Sequence, residues 1–339
     1  MSSKPKLLVC RPSFDEVLHK LQAHFEVTLN TEDAVWNSAE LTARLEGHDA
    51  AFTSGSEPIT AALLAACPRL RMCANMSVGY NNFDVDAMNA AGVLATNAPG
   101  VLTETTADMA FALLMATARR VSESEAFLRA GLWKRMRFDM FLGADIHAST
   151  LGILGMGRIG QAIARRGALG FGMQVIYHNR SRADAGVEAE LGARYVSKTE
   201  LFAQADHIVL VLPYSPDAHH TVGAAEIASM KPLATLVNIG RGGLIDENAL
   251  SDALQAGRIG GAGLDVFERE PTVNPRLLAC KNVVLTPHIG SATLPTRQAM
   301  AHLAADNLIA VFAGQAPLTP INPQVLQSLR WATPAKAAH

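Results

Sequence analysis

Four ionisable residues in the second half of the chain stand just past strongly apolar runs. Arg241 follows "ATLVNIG" (234–240), Asp265 ends "GGAGL" (260–264), Glu270 lies in "DVFEREP" (265–271) and His288 follows "NVVLTP" (282–287). Runs that are apolar almost continuously read as strands buried on both faces. In an open parallel sheet, ligands bind beyond the carboxyl ends of such strands. Any one of these side chains alone is as well explained by structure or solvation; their convergence on one rim makes them candidates. The chemistry they suit is hydride exchange between a nicotinamide and a 2-oxo acid. Arg241 can bind a carboxylate and polarise the neighbouring carbonyl through its fixed fork of donors. His288, protonated, can give a proton to the carbonyl oxygen while hydride reaches the carbon. Glu270 can orient the imidazole and stabilise its charged form. Asp265 can hold the carboxamide edge of the nicotinamide.

A dinucleotide needs a phosphate cradle, and "LGILGMGRIGQAIARR" (151–166) supplies one: Gly155-x-Gly157-x-x-Gly160 between a strand and a helix start. The motif alone is weak. Its context, with an apolar strand before, a helix after and a second strand about 20 residues on, is the confirming one. Such glycines allow a sharp turn and let the backbone touch a pyrophosphate at the positive end of the helix. Where an NAD-binding unit places an acid for the ribose hydroxyls, this chain reads "YHNRSR" (177–182), with no acid. A carboxylate there would repel a 2′-phosphate, by about 4 kcal/mol per unit pair at 4 Å and an effective dielectric of 20. Arg180 and Arg182, with Asn179 and Ser181, reverse the sign, and charge-assisted contacts are worth roughly 10- to 100-fold each. The expectation is NADP(H) preferred and NAD(H) possible, with Arg180 the first contact. Arg158, Ile159, Pro213 and Ile239 complete the expected cofactor contacts.

Two series of short strands and helices must position these groups. From "KLLVC" to "VLAT" (6–96), β-like runs alternate with helical ones of about 8 to 12 residues, which indicates βαβ units and a parallel sheet. The pattern breaks at "NAPGV" (97–101). A helix expected over 103–120 is apolar almost all round and calls for burial on several sides. Residues 121–147 read as a further helix and an irregular arm with Trp133 and Phe141, either a partner-wrapping arm or a plain surface loop. The second series runs from "TLGILGMG" (150–157) to "NVVLTPH" (282–288), with one helix expected over 158–169. An amphipathic helix follows over 295–314, and the tail after Gly314 reads as an irregular, partly frayed coil.

With these motifs the chain resembles the D-2-hydroxyacid dehydrogenases. The resemblance covers nearly its whole length and is carried by "SVGYNNFDVDA" (77–87), "VLTETTADMAFALL" (101–114), "TLGILGMGRIG" (150–160), "NIGRGGLIDENAL" (238–250), "GAGLDVFEREP" (261–271) and "PHIGSAT" (287–293). It implies an α/β protein of two doubly wound parallel-sheet domains. A Rossmann cofactor domain (99–293, including a dimerisation helix and arm at 103–147) would be inserted into a flavodoxin-like substrate domain (1–98 and 294–325). The active site would lie in a cleft that closes on substrate. The family's catalytic Arg, Glu and His fall on Arg241, Glu270 and His288. Its carboxylate-binding amides fall on Val78 and Gly79, and Ser291 matches a position near substrate. The implied activity is reduction of small 2-oxo acids, glyoxylate, hydroxypyruvate and 2-ketogluconate among them, by a homodimer. Close relatives carry a tryptophan in the arm that reaches the neighbouring subunit's site; this chain reads "FDMFLG" (138–143), with Phe141 as the replacement.

Composition sets the outer bounds. A chain of 339 residues suits about two domains, and 49% apolar residues excludes wholesale disorder. A formal charge of −2 makes no case for nucleic acid. Four scattered cysteines without a C-x-x-C pair, no signal-like segment at "MSSKPKLLVC" and no apolar run near the roughly 20 residues of a membrane span point to a cytoplasmic protein with no membrane partner. The rival reading is a dinucleotide-sensing corepressor or scaffold on the same fold, which would not need an intact Arg, Glu and His. Formate oxidation is disfavoured because Glu270 stands where those enzymes place Gln, and phosphoglycerate dehydrogenation because basic residues are sparse near "SVGYNNFD".

Overall fold

The computed structural model describes residues 4–327. The chain divides into two compact units, one formed by the residues up to Leu102 and again from Thr293, the other by Thr103–Ala292.

The first unit is built on five strands: β1 (Lys6–Val9), β2 (Glu26–Leu29), β3 (Ala50–Thr53), β4 (Met72–Asn75) and β5 (Leu94–Thr96). They lie in the order β2-β1-β3-β4-β5 with every pairing parallel, the flavodoxin order. Alternate side chains of these strands face opposite layers. Leu7, Val9, Phe52 and Met72 pack with Ala301, Ala304, Ala305 and Leu308 of the long helix Leu294–Phe312. Leu8, Ala51, Cys73 and Ala95 pack with Leu41, Leu45, Leu63 and Met88 on the opposite side. This double burial is why the strands read as unbroken apolar runs.

The stretch after Gly314 departs from the expected frayed coil as far as residue 327; residues 328–339 lie outside the described ones. β5 is an edge strand whose backbone groups need partners. Asn322, fully buried, supplies them: its Oδ1 accepts from the Ala95 amide at 2.7 Å and its Nδ2 donates to the Val93 carbonyl at 3.0 Å. Composition alone gave no sign of that pairing.

The second unit holds β6 (Thr150–Leu154), β7 (Gln174–His178), β8 (Arg194–Tyr195), β9 (His207–Leu210), β10 (Thr235–Asn238), β11 (Gly261–Leu264) and β12 (Val283–Leu285). Their order is β12-β11-β10-β9-β6-β7-β8, again all parallel. This is the doubly wound order of a dinucleotide-binding sheet, with β6 and β9 meeting at the topological switch point. The two-residue β8 is too short to carry a pattern, and the sequence reading did not separate it. The helix expected over 158–169 is α-helical over Arg158–Arg165 and continues as one π turn, Arg166–Gly170.

The apolar helix Thr103–Ala118 buries half of its 16 residues. It can lie close on β11 because that strand is glycine-rich: a β-carbon on Gly263 would come within 3.0 Å of Leu113. The helix Val121–Arg129 follows, then the arm. Trp133 (52% exposed), Met136 (80%) and Phe138 (104%) stand out from it, whereas Phe141 is tucked against Phe127 at 5.2 Å between ring centroids.

Candidate active site

The glycine loop leaves β6 at the switch point. Gly155 has φ +112°, which only glycine adopts readily, and a β-carbon there would press on Val211 at 2.9 Å. A β-carbon on Gly160 would fall 2.1 Å from the Gly155 carbonyl oxygen, so this glycine lets the helix sit on its own loop. Gly157 differs: its φ is −79° and nothing lies within 4 Å of the β-carbon position. The polypeptide itself places no demand for glycine at 157. The open space over it, before a helix whose first N–H groups have no side-chain cap, fits a pyrophosphate approaching the backbone. Arg158 is exposed and Ile159 half-buried at that helix start. Ile239 is buried beside Met156, and Pro213 is exposed just beyond β9.

The loop after β7 only partly matches its expected use. Asn179 is committed to the protein: its Oδ1 accepts from the Met156 amide at 2.7 Å and so fixes the glycine loop. Arg182 is also engaged, its Nε and Nη2 donating to both oxygens of Glu188 at 2.8 to 3.0 Å. Hydrogen bonds from Arg182 and Tyr177 hold the Glu188 carboxyl below the usual carboxylate range. The cause lies six residues further on, where the helix Ala185–Leu191 returns Glu188 to the loop. Arg180 and Ser181 are exposed and have no side-chain partner among the described residues.

At the far strand ends, His288 Nδ1 lies 2.7 Å from Glu270 Oε2, and Glu270 Oε1 accepts from the Phe267 amide at 2.9 Å. Burial works against ionisation of Glu270. The hydrogen bonds from His288 and the Phe267 N–H, with the charges of His288 and Arg241, outweigh it and hold the carboxyl below the usual range. With Nδ1 on Glu270, the Nε2 of His288 has no partner among the described residues. Arg241 follows β10; it donates to its neighbour's carbonyl at Gly240 (2.7 Å), and burial lowers its pKa against the opposing effect of Glu270. His288 itself has φ +53°. That backbone is unusual for a residue with a β-carbon.

Asp265 is bonded within its own unit. It is 1% exposed and accepts the Thr286 hydroxyl (2.7 Å), the Ile289 amide (2.8 Å) and the Gly290 amide (2.7 Å). Its carboxylate therefore anchors the loop that carries His288, because three of its lone-pair positions are already taken. Ser291 follows that anchored loop, half-buried.

In the first unit, the loop after β4 carries Val78 and Gly79. Their carbonyls are held, Val78's by Asn97 Nδ2 (2.7 Å) and Gly79's by Asn75 Nδ2 (2.9 Å). Their N–H groups have no partner among the described residues. Backbone N–H groups left free in this way can donate to an anion.

Residues 111–290 match the family model described as D-isomer specific 2-hydroxyacid dehydrogenase, NAD binding domain. The chain is 46% identical over 327 residues to a glyoxylate reductase of Thermococcus onnurineus, covering 95% of this chain and 97% of that one. It belongs to the D-isomer-specific 2-hydroxyacid dehydrogenase family. Among further members, a glyoxylate/hydroxypyruvate reductase B of Klebsiella pneumoniae is 45% identical over 326 residues, with 95% and 99% of the chains covered. An NADPH-dependent glyoxylate/hydroxypyruvate reductase of Sinorhizobium meliloti, solved with NADP and malonate, superposes with a TM-score of 0.83 at 37% identity, covering 94% of this chain and 97% of that one.

For a 2-hydroxyacid dehydrogenase, the structure brings Arg241, Glu270 and His288 together and sets Arg182, Asn179 and Asp265 to internal bonds. Phe141 packs on Phe127, and the fully exposed aromatic of the arm is Phe138. The sequence reading missed Thr286, Asn75 and Asn97. The one signal for Asn75 and Asn97 was an amide side chain at the carboxyl end of an apolar strand. Among the described residues no helix is long and apolar enough to cross a membrane, and no His, Cys, Asp and Glu cluster could hold a metal.

Proposed function

We propose that the protein reduces small 2-oxo acids to D-2-hydroxy acids with NADPH, glyoxylate and hydroxypyruvate first, with 2-ketogluconate sharing the reacting unit. The observation that carries the reading is the His288–Glu270 pair, at 2.7 Å, beside the half-buried Arg241. A reduced nicotinamide, when bound, would supply the hydride. In the second unit the Arg241 fork would bind the substrate and polarise its carbonyl; in the first unit the free Val78 and Gly79 amides are proposed to take a carboxylate. Glu270 accepts from Nδ1, so the imidazolium proton available to the carbonyl oxygen is the one on Nε2. The names of the Thermococcus, Klebsiella and Sinorhizobium relatives support this substrate class, and the last supports the cofactor. An intact, paired Arg, Glu and His set speaks against the corepressor or scaffold reading, which has no use for it.

Steady-state rates with the three acids and both cofactors test the proposal, as does His288→Ala. That variant should lower turnover by about 10² to 10⁴, the scale of a positioned acid, and a loss under about tenfold would remove His288 from proton transfer. Two assignments complete the reading. The exposed Trp133, Met136 and Phe138 of the arm support a homodimer, which a monomeric mass in sedimentation equilibrium would exclude. The free cysteines (Cys10, Cys67, Cys73 and Cys280) support a cytoplasmic setting, which recovery from a periplasmic or secreted fraction would overturn.

A further inference from the structure

We infer that Asn97 is a positioning residue that aims the Gly79 N–H at the substrate carboxylate, and that Thr319 holds it in place. The inference rests on the proposed carboxylate site at Val78 and Gly79. A trans peptide is planar, and its C=O and N–H point in opposite directions. Fixing the carbonyl of one residue therefore aims the N–H of the next. Asn97 Nδ2 donates to the Val78 carbonyl at 2.7 Å and so sets the direction of the Gly79 N–H. The Ala98 amide donates to the Ser77 carbonyl at 3.0 Å and sets that of Val78. Asn75 Nδ2 on the Gly79 carbonyl, at 2.9 Å, closes the loop from the other side. Three consecutive peptides are thus held by their oxygens, and the donors of the first two are left free to bind an anion.

Asn97 is itself held by a distant part of the chain. Thr319 Oγ1 donates to the Asn97 carbonyl at 2.6 Å, and the Asn97 amide donates to the Thr319 carbonyl at 3.3 Å. Thr319 in turn is gripped by Asn307, which is fully buried on the helix Leu294–Phe312. Asn307 Oδ1 accepts from the Leu318 and Thr319 amides, both at 2.9 Å, and its Nδ2 donates to Thr319 Oγ1 at 2.8 Å. A buried amide with this many bonds fixes one geometry, because losing any partner would strand a desolvated polar group. The line Asn307 to Thr319 to Asn97 to Val78 runs from the last helix of the first unit to the candidate carboxylate loop.

The test uses the full-length protein saturated with NADPH, with oxalate as the anion probe. The sequence holds two Val–Gly steps, 78–79 and 222–223. Labelling valine carbonyls with ¹³C and glycine amides with ¹⁵N therefore isolates the signals of Gly79 and Gly223. In the wild type, oxalate should move the Gly79 signal and leave Gly223 in place. Asn97→Ala and Thr319→Val should each bind oxalate about 10- to 100-fold more weakly. They should raise the KM for glyoxylate by a similar factor while kcat falls less than about threefold and NADPH affinity holds. Thr319→Ser keeps the hydroxyl and should restore wild-type values. If Gly79 responds in the wild type but the variants bind oxalate normally, the positioning role is overturned while the carboxylate site stands. If Gly79 ignores oxalate in the wild type, the carboxylate site fails and the inference with it. A loss of oxalate binding accompanied by a displaced Gly223 signal and weakened NADPH binding marks a general folding defect, and also overturns it.

Discussion

Glu270 is the side chain on which the pH behaviour of the site turns. Its carboxyl is held below the usual carboxylate range, so it remains charged at every pH above that range. Glu270→Gln keeps the shape and one acceptor oxygen but removes the charge that favours imidazolium. The pH profile of kcat/KM for ketone reduction should move to lower pH, and an unmoved profile would uncouple the two residues. Cofactor choice is decided at the same scale. Arg182 is already paired with Glu188, so Arg180, exposed and without a side-chain partner among the described residues, is the arginine of this loop proposed to meet a 2′-phosphate. Arg180→Ala should lower kcat/KM for NADPH about 10- to 100-fold and change NADH little. Arg182→Ala should affect both cofactors by less than about threefold. Equal losses for the two cofactors with Arg180→Ala would end the proposed preference.

Among the elements, the glycine loop separates what the fold needs from what a ligand needs. Gly160→Ala would put its β-carbon 2.1 Å from the Gly155 carbonyl oxygen. The loop must move, and both thermal stability and cofactor binding should fall. Gly157→Ala meets open space at an ordinary φ. That variant should melt within about 2 °C of the wild type, since surface changes without a clash cost little, yet bind NADPH at least about tenfold more weakly. Calorimetry and cofactor fluorescence titration on the two variants check this contrast. Equal NADPH affinity for Gly157→Ala and the wild type would show that no phosphate sits over residue 157. The loop of His288 poses the opposite problem. Its φ of +53° is unfavourable, and three hydrogen bonds into Asp265 hold it there.

Over the whole molecule, the carboxylates held below their usual range, among the described residues, lie in the second unit. Glu188, Glu200, Asp206, Glu226 and Glu270 are all depressed there. A carboxylate depressed in the folded state contributes stability above its unfolded value, and that contribution is lost as the pH falls through the folded value. His207 acts at higher pH. It is fully buried, bonded to Thr235 and to the Asp145 carbonyl, and burial lowers its pKa. The unfolded chain then takes up the proton first, so stability falls as the pH drops below about 6.5. The melting temperature should decline in two stages on acidification, one beginning near the ordinary histidine range and one below about 4.5. His207→Asn should shrink the first stage, to which His48, also lowered by burial, contributes as well, and leave the second unchanged. A melting temperature constant between pH 7 and 5 would contradict the role given to His207.

The sequence by itself determined the parallel α/β character of both units and the glycine loop, and pointed to Arg241, Glu270 and His288 as a candidate set. These follow from local pattern: apolar runs long enough for buried strands, glycines at fixed spacing, and polar residues directly after strands. Only the tertiary structure decided how the remaining candidates are used. Arg182 and Glu188 are six residues apart, but the loop and helix between them had to fold before they could pair. Asp265 could not be seen to anchor the His288 loop until β11 and β12 lay side by side. Asn97, Asn307 and Thr319 are separated by up to 222 residues, and Asn322 reaches Ala95 across 227. Hydrogen-bond partners at that separation leave no periodicity in a single sequence, because the geometry that joins them is set by the packing of the sheet and its last helix.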